Sequence, residues 1–334
     1  MANIIFDEIV EQVKTLKTDE LWQLREIADK LWHERFTQAA QIALDYYNLH
    51  EVQLEFLGDS EHITFRVDVA AEINEFDADI DNDGYRKGRY LLRIHKPSWY
   101  GVQNSEALIN SELLWLTALQ RDTDLLVPQP VCNQREDWIT PISIEGFEEP
   151  RLCTLLRWIP GECPDDHLNQ IQFRQIGKIL AQLHQHGARW SFPQGFLRPK
   201  FGKESLHELL KEKALEGGVS FDKAEQFSEM INELRENQEF FGLIHADFRI
   251  WNILFHQGEA RIIDFARCGF GYYLYDIALF LNESSGAQED SRQAFWDGYQ
   301  SVRPLPHDYA SYIEMFLALD EMYPQYQTMQ GGIK

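Results

Sequence analysis

The sequence predicts an α+β chain in two lobes, an N-terminal lobe built on an antiparallel β-sheet with one key helix and a larger, mainly helical C-terminal lobe. Three observations predict it. The apolar period changes from helical spacing to two at Glu51, it returns to helical spacing over residues 104–120 between strand-like stretches, and after Pro160-Gly161 it is mainly helical. With 334 residues the chain exceeds the size at which a single core stops growing, so a two-part organisation is expected. The divisions read as a helical leader over 1–48, a sheet lobe over 49–158 and a helical lobe over 159–334, joined near Arg157 to Glu162.

In the leader, Ile5, Ile9 and Val13, then Leu21, Leu24, Ile27 and Leu31, recur at helical spacing, with Thr18 or Asp19 placed to cap a helix between them. Val52, Leu54 and Phe56 alternate with polar residues, and Ile63, Phe65, Val67 and Val69 repeat the alternation, which predicts two strands joined by Leu57 to His62. The polar stretch from Ala78 to Gly88 leads into a third strand, Tyr90 to Ile94. Asp79, Asp81, Asp83 and Gly84 match the first half of a calcium loop. The twelfth position is Tyr90 and no helix pair flanks it, so an acidic turn is the reading. Residues 104–120 form the helix of the first lobe, and Trp138 to Ile144 and Leu152 to Trp158 supply further strands. Helices follow at Leu168 to His184, Glu204 to Lys213, Asp222 to Glu236, Tyr275 to Leu281, Ser291 to Tyr299 and Tyr309 to Met322. No internal repeat or low-complexity tract interrupts the order.

A formal net charge of −23 opposes nucleic acid and anionic lipid and suits a cationic small molecule, so neither nucleic acid nor membrane is an expected partner. Cys132, Cys153, Cys163 and Cys268 show no CxxC spacing, the pattern of reduced thiols in a cytoplasmic protein. The N-terminus has acidic residues within its short apolar pattern and does not read as a signal peptide, and no apolar run has the length of a membrane span.

Chemistry concentrates in LIHADFRIWNILF, residues 243–255, where His245-x-Asp247-x4-Asn252 precedes Asp264 in the apolar run Arg261 to Phe265. An aspartate and an asparagine five residues apart, with a second aspartate at the end of a short hairpin, converge only if the intervening loop is tight. Such a set suits phosphoryl transfer: one carboxylate orients the attacking hydroxyl while the amide and the other carboxylate hold Mg²⁺ on nucleotide phosphates.

HADFRIWN, IIDF and Gly271-x4-Asp276-Ile277-Ala278 resemble the aminoglycoside phosphotransferase and choline kinase superfamily, in a motif style like that of homoserine kinase type II and the stress-response Ser/Thr kinase relatives. Asp297-Gly298-Tyr299 and Arg303-Pro304-Leu305 are also similar to the homoserine-kinase-like branch, and the resemblance runs from about Glu51 onward. It implies a bilobal protein-kinase-like fold and ATP- and Mg²⁺-dependent transfer of the γ-phosphoryl group to a hydroxyl of a small molecule, such as an amino alcohol, aminoglycoside, sugar or hydroxy amino acid.

Carried over by position, the resemblance makes Asp247 the catalytic base, Asn252 and Asp264 the metal ligands, His245 a residue that shapes the loop and Asp276 a buried aspartate that fastens it. Arg93 takes the place of the phosphate-binding lysine, and strand alternation puts Leu91 on its face, toward the adenine. Glu112 is the expected partner of Arg93, with Glu106 second. Gly58 and Ser60 stand where a glycine-rich phosphate loop would lie, though Leu57 to His62 holds a single glycine. Arg249 could stabilise charge on the transferring group or pair at the surface with acidic residues. Trp251 is expected either to pack in the helical core, which large aromatics favour, or to line the ribose and acceptor mouth as an acceptor contact, and segments 191–220 and Trp296 to Tyr323 are expected to line the acceptor cleft.

Two other readings are open. A protein Ser/Thr kinase is disfavoured by the eleven residues between Asp264 and Asp276, too few for a long peptide-docking segment. A non-catalytic nucleotide-binding pseudokinase fits the sparse glycine loop, but the intact Asp247, Asn252 and Asp264 argue against it.

Overall fold

The computed structural model describes residues 18–69, 80–99, 102–103, 105–164, 168–215, 219–284, 286–307 and 309–321; the leader up to residue 17, Asp79, Met322 and Tyr323 fall outside these. The leader helix, α1, spans Thr18–Asp45. Its last turns bury Phe36, Ala39, Ala40, Ala43 and Leu44 against Phe65, Val67, Leu92, Ile94 and Leu155 of the sheet. Small side chains at 39, 40 and 43 let the helix lie close to the strands, so the leader shares a core with the first lobe.

Among the described residues the first-lobe sheet has six strands. β1 (Val52–Asp59), β2 (His62–Val69), β3 (Arg89–His95), β8 (Arg151–Arg157) and the short β6 (Pro130–Val131) lie side by side, and β7 (Ile139–Ile142) also pairs with β8. The pairings are antiparallel, with Phe56 opposite Phe65, Thr64 opposite Arg93 and Leu92 opposite Leu155. Alternation sends Ile63, Phe65, Leu92 and Ile94 toward α1 and leaves Thr64, Leu91 and Arg93 on the other face. The β1–β2 connection is tighter than the sequence suggested: only Ser60 and Glu61 lie between the strands, and Gly58 sits inside β1, next to a bulge. Two further short strands, β4 (Ser98–Trp99) and β5 (Val102–Gln103), form a separate hairpin.

Helix α2 (Glu106–Asp122) starts at Ser105, whose hydroxyl accepts from Leu108 N, and buries Leu113, Trp115, Leu116 and Leu119 in the core of the second lobe. It therefore carries first-lobe residues on a second-lobe foundation. The second lobe is held by α3 (Gln170–Arg189), begun by a capping box of Asn169 and Gln172, packed on α7 (Glu289–Gln300). That packing needs two glycines: a Cβ at Gly177 would lie 2.1 Å from Phe295 O, and one at Gly298 2.0 Å from Arg174 O. Helices α4 (Lys203–Leu215), α5 (Phe221–Glu233), the buried α6 (Tyr273–Glu283) and α8 (Tyr309–Glu321) complete the lobe. Two small ribbons, β9 (Phe241–Ile244) with β12 (Gly269–Tyr272) and β10 (Ile253–His256) with β11 (Glu259–Ile262), present the motif-bearing loops.

The stretch that matches the first half of a calcium loop in sequence forms an acidic turn. Asp81 Oδ1 accepts from Asp83 N at 2.9 Å and Tyr85 N at 3.1 Å, and Arg157 pairs with the carboxylates of Asp81 and Asp83. Among the described residues no helix is long and apolar enough to cross a membrane.

Candidate active site

The loop from His245 to Asn252 is fixed at both ends by one helix. Asp276, with 0% exposure, accepts from His245 N and Ala246 N, each at 2.8 Å, and faces His184 Nε2 at 3.1 Å. Glu283, seven residues on and so two turns along α6, accepts from Ile250 N at 2.8 Å and Arg249 Nη1 at 2.7 Å. Between these clamps Ala246 adopts φ +61°, a left-handed backbone that holds only because its amide is bonded from behind. His245 is buried and donates from Nε2 to Ile263 O at 3.0 Å, linking the loop to the segment that ends in Asp264.

A 3₁₀ turn, Ile250–Asn252, swings Asn252 back onto Asp247. Asn252 Nδ2 donates to Asp247 O at 2.9 Å and to Oδ2 at 3.0 Å. The other carboxylate oxygen, Oδ1, lies 3.4 Å from Arg249 Nε and 3.3 Å from Arg267 Nη1. Asp264 follows at φ +62° with its carboxyl exposed to the cleft.

Across the cleft Arg93 Nη2 donates to Glu112 Oε1 at 2.8 Å, and both side chains are almost wholly buried. The pairing expected from sequence is present, and Glu106, at the exposed start of α2, takes no part in it. Arg93 Nε and Nη1 are buried without a hydrogen-bond partner, an arrangement that costs about 1–3 kcal/mol per group unless an acceptor arrives. Arg93 is one of the residues that line a cavity of about 220 Å³ between the lobes. Its apolar part is made by Leu91, Pro128, Leu156, Trp158, Ile159, Leu254 and Ile263, its polar end by Ser60, Glu61, His62, Arg93, Asn252 and Asp264.

Several expectations need correction. Gly58, inside β1 before the turn, is not among the lining residues, although Leu57, Ser60 and Thr64 around it are; a Cβ there would meet only Thr64 Oγ1, at 3.8 Å. Trp251 is not a core residue: it is 54% exposed, with the Arg249 guanidinium 5.4 Å from its ring centroid. Arg249 does pair with acidic residues, but within the site rather than at the surface, since it is largely buried between Asp247 and Glu283. The start of the segment expected at the acceptor cleft runs beneath α2, where Leu197 N donates to Ser111 Oγ and Arg198 Nη1 to Leu108 O. Asp297 pairs with Arg174 and Tyr299 bonds His184, so that motif holds helices together.

Sequence reasoning missed Glu61, Arg267 and Glu283. Arg267 bridges Glu61 and Asp247, and its one signal in the sequence is its place three residues after Asp264. Glu283 could have been sought at heptad spacing from Asp276. Burial raises the Glu283 pKa, and Arg249 opposes it; burial also raises that of Glu61, to about 8, with Arg267 opposing it and Asp264 and Asp247 reinforcing it.

A model of a phosphotransferase enzyme family matches residues 72–312 of the chain. An uncharacterised protein of Synechocystis sp. is 29% identical over 227 residues, which span 65% of this chain and 60% of that protein. Amicoumacin kinase of Bacillus subtilis is 22% identical over 307 residues, 88% of this chain and 84% of its own. Among solved structures, amicoumacin kinase hAmiN in complex with AMP-PNP, Ca²⁺ and Ami superposes with a TM-score of 0.68 at 21% identity, covering 87% of this chain and 84% of that one. A microcompartment-associated aminopropanol kinase gives 0.67 at 24% identity, covering 89% and 90%. These likenesses show a shared bilobal, kinase-like fold.

Proposed function

The chain belongs to the phosphotransferase enzyme family, and from that premise we propose that it is an ATP- and Mg²⁺-dependent small-molecule kinase that moves the γ-phosphoryl group to a hydroxyl. The observation that carries the proposal is a convergence in one cleft: Asp247 held by Asn252, with Asn252 and Asp264 lining the same cavity as the Glu112-anchored Arg93.

The apolar walls, with Leu91, Leu156 and Ile159, receive a flat base. Arg93 offers its unpartnered Nε and Nη1 to phosphate oxygens, with Glu112 holding the guanidinium in place. Asn252 gives its Nδ2 to Asp247 and so presents its carbonyl oxygen, beside the carboxylate of Asp264. Among the described residues no group of three or more His, Cys, Asp or Glu converges on a cation. Asn252 and Asp264 would hold Mg²⁺, which would neutralise charge on the transferring group.

Asp247 orients the acceptor hydroxyl and takes its proton late; a carboxylate is a poor bulk base at neutral pH, so orientation is its larger contribution. Arg249 and Arg267 flank its Oδ1 and offset negative charge at the point of transfer.

The acceptor reading rests on charge and surface. A net charge of −23 attracts cations, and the exposed ring of Trp251, next to Asn252 in the loop, offers a platform for an amino alcohol. Relatives named for amicoumacin and aminopropanol are compatible with that class. The short run from Asp264 to Asp276 is taken up by β12 pairing with β9, which supports a small-molecule acceptor over a docked peptide.

The test is ATP consumption by the purified chain against a panel of amino alcohols, aminoglycosides, sugars, hydroxy amino acids and a generic protein substrate. Stimulation by a small hydroxyl compound is expected. Nucleotide binding without stimulation by any of them would favour the non-catalytic reading, and stimulation by the protein alone would favour a protein kinase.

A further inference from the structure

The β1–β2 turn puts the Glu61 carboxylate at the polar end of the cleft, with Arg93, Asn252 and Asp264. Glu61, only 9% exposed, accepts a hydrogen bond from Arg267 Nε, and Arg267 Nη1 lies 3.3 Å from Asp247 Oδ1. The contact spans 206 positions of sequence and ties the tip of a first-lobe hairpin to the candidate base in the second lobe. The tip is braced from the far side, where Lys96 Nζ donates to Ser60 O at 2.6 Å and pairs with Asp59 Oδ1 at 2.6 Å.

With the tip in this position the cleft holds about 220 Å³, below the roughly 300–1,000 Å³ usual for ligand sites. That volume takes a base and sugar, and Glu61 stands with Asn252 and Asp264 at the polar end. A phosphate and the Glu61 carboxylate are both anions competing for one guanidinium, and a phosphate meets its planar fork at least as well. The carboxylate is also costly where it stands, since burial disfavours its charge and Asp264 and Asp247 add repulsion.

Building on the kinase reading above, we propose that Glu61 is a specificity-determining residue for the phosphoryl donor: it occupies Arg267 in the nucleotide-free enzyme and is displaced by the donor's terminal phosphates. A nucleoside triphosphate opens the polar end of the cleft by replacing Glu61, whereas a nucleoside fills the apolar part and leaves the ion pair intact. A ligand that must break the pair binds more weakly by the free energy of the pair; one that leaves it intact does not. Removal of the charge at position 61 therefore strengthens triphosphate binding selectively.

The test is calorimetric titration above pH 8, where Glu61 is ionised, of the full chain and of Glu61→Gln with two probes, adenosine and AMP-PNP with Mg²⁺. The variant is expected to bind AMP-PNP roughly 5- to 150-fold more tightly than the wild type, with adenosine affinity unchanged. Glu61→Ser, which shortens the side chain beyond reach of Arg267, is expected to behave in the same way, and thermal melting of each variant establishes that it is folded. Equal or weaker binding of AMP-PNP by folded variants, with adenosine still bound, overturns the proposal and leaves the kinase reading standing. Failure of the wild type and both variants to bind either probe overturns the kinase reading and the proposal with it.

Discussion

Replacement of Asp276 by alanine should damage both the fold and the chemistry, by an amount that its contacts set. Its carboxylate has 0% exposure and accepts two backbone N–H bonds at 2.8 Å, from His245 and Ala246. Hydrogen bonds to a charged group contribute about 1.5–3 kcal/mol each, so losing both and stranding their donors costs roughly 3–6 kcal/mol. The same bonds hold Ala246 at φ +61°, a conformation that stores about 1–3 kcal/mol and relaxes once its amide is released. Relaxation there moves Asp247, the next residue, and a displacement near 1 Å at a reacting group costs on the order of 10² in rate. His184, whose Nε2 faces the same carboxylate at 3.1 Å, loses its acceptor as well. Urea unfolding monitored by circular dichroism gives the stability term, and steady-state turnover with the best acceptor of the panel gives the rate. Asp276→Asn, which keeps one acceptor oxygen, is expected to lose about half the stability lost by the alanine variant. If Asp276→Ala lost less than about 1 kcal/mol and kept wild-type turnover, the loop would not be held in the way described.

Glu112→Lys leaves the Arg93 guanidinium buried against a like charge, so it should destabilise the chain by about 3–5 kcal/mol or more and raise the KM for ATP; a melting temperature and KM both unchanged would contradict the pairing. Trp251→Ala, at a residue 54% exposed, should change stability by less than about 1 kcal/mol while raising the acceptor KM, and the reverse result would return the ring to the core. The folded-state pKa of Glu61, about 8, lies above the ordinary 4.5, so the folded chain holds an extra proton between those values. The associated stability is full below pH 4.5 and lost as pH rises through about 8, and Glu61→Gln should flatten that decline in unfolding measured across the window.

Much of this architecture is legible in the sequence because it depends on local period. Alternation at Ile63, Phe65 and Val67 predicts the buried strand face, and the same alternation sets Leu91 and Arg93 together in the cavity wall. The spacing of Asp247, Asn252 and Asp264 implies a tight loop, which the structure realises with a 3₁₀ turn and a two-stranded ribbon. What sequence alone does not reveal depends on packing between distant segments. Glu61 and Arg267 meet across 206 positions, and neither alternation nor helical spacing marks a side chain whose partner lies in the other lobe. Trp251 defeats a rule about aromatic burial because the loop that carries it is pinned from beneath by Asp276 and Glu283, which leaves its outer face to solvent. The leader, outside the family resemblance, proves to share the sheet's core through Ala39, Ala40 and Ala43, small residues whose packing value a helical period does not show.

The central claim is that Asp247 directs transfer of a phosphoryl group from nucleotide to a small hydroxyl acceptor. The most direct measurement is the single-turnover transfer of labelled γ-phosphate from ATP to the best acceptor of the panel, by the wild type and by Asp247→Ala, with AMP-PNP affinity determined for both. Labelled acceptor is expected from the wild type, and the variant should form it 10²–10⁴-fold more slowly, an order-of-magnitude range, while still binding nucleotide. Formation of labelled acceptor at the wild-type rate by a variant that binds nucleotide normally would contradict the account.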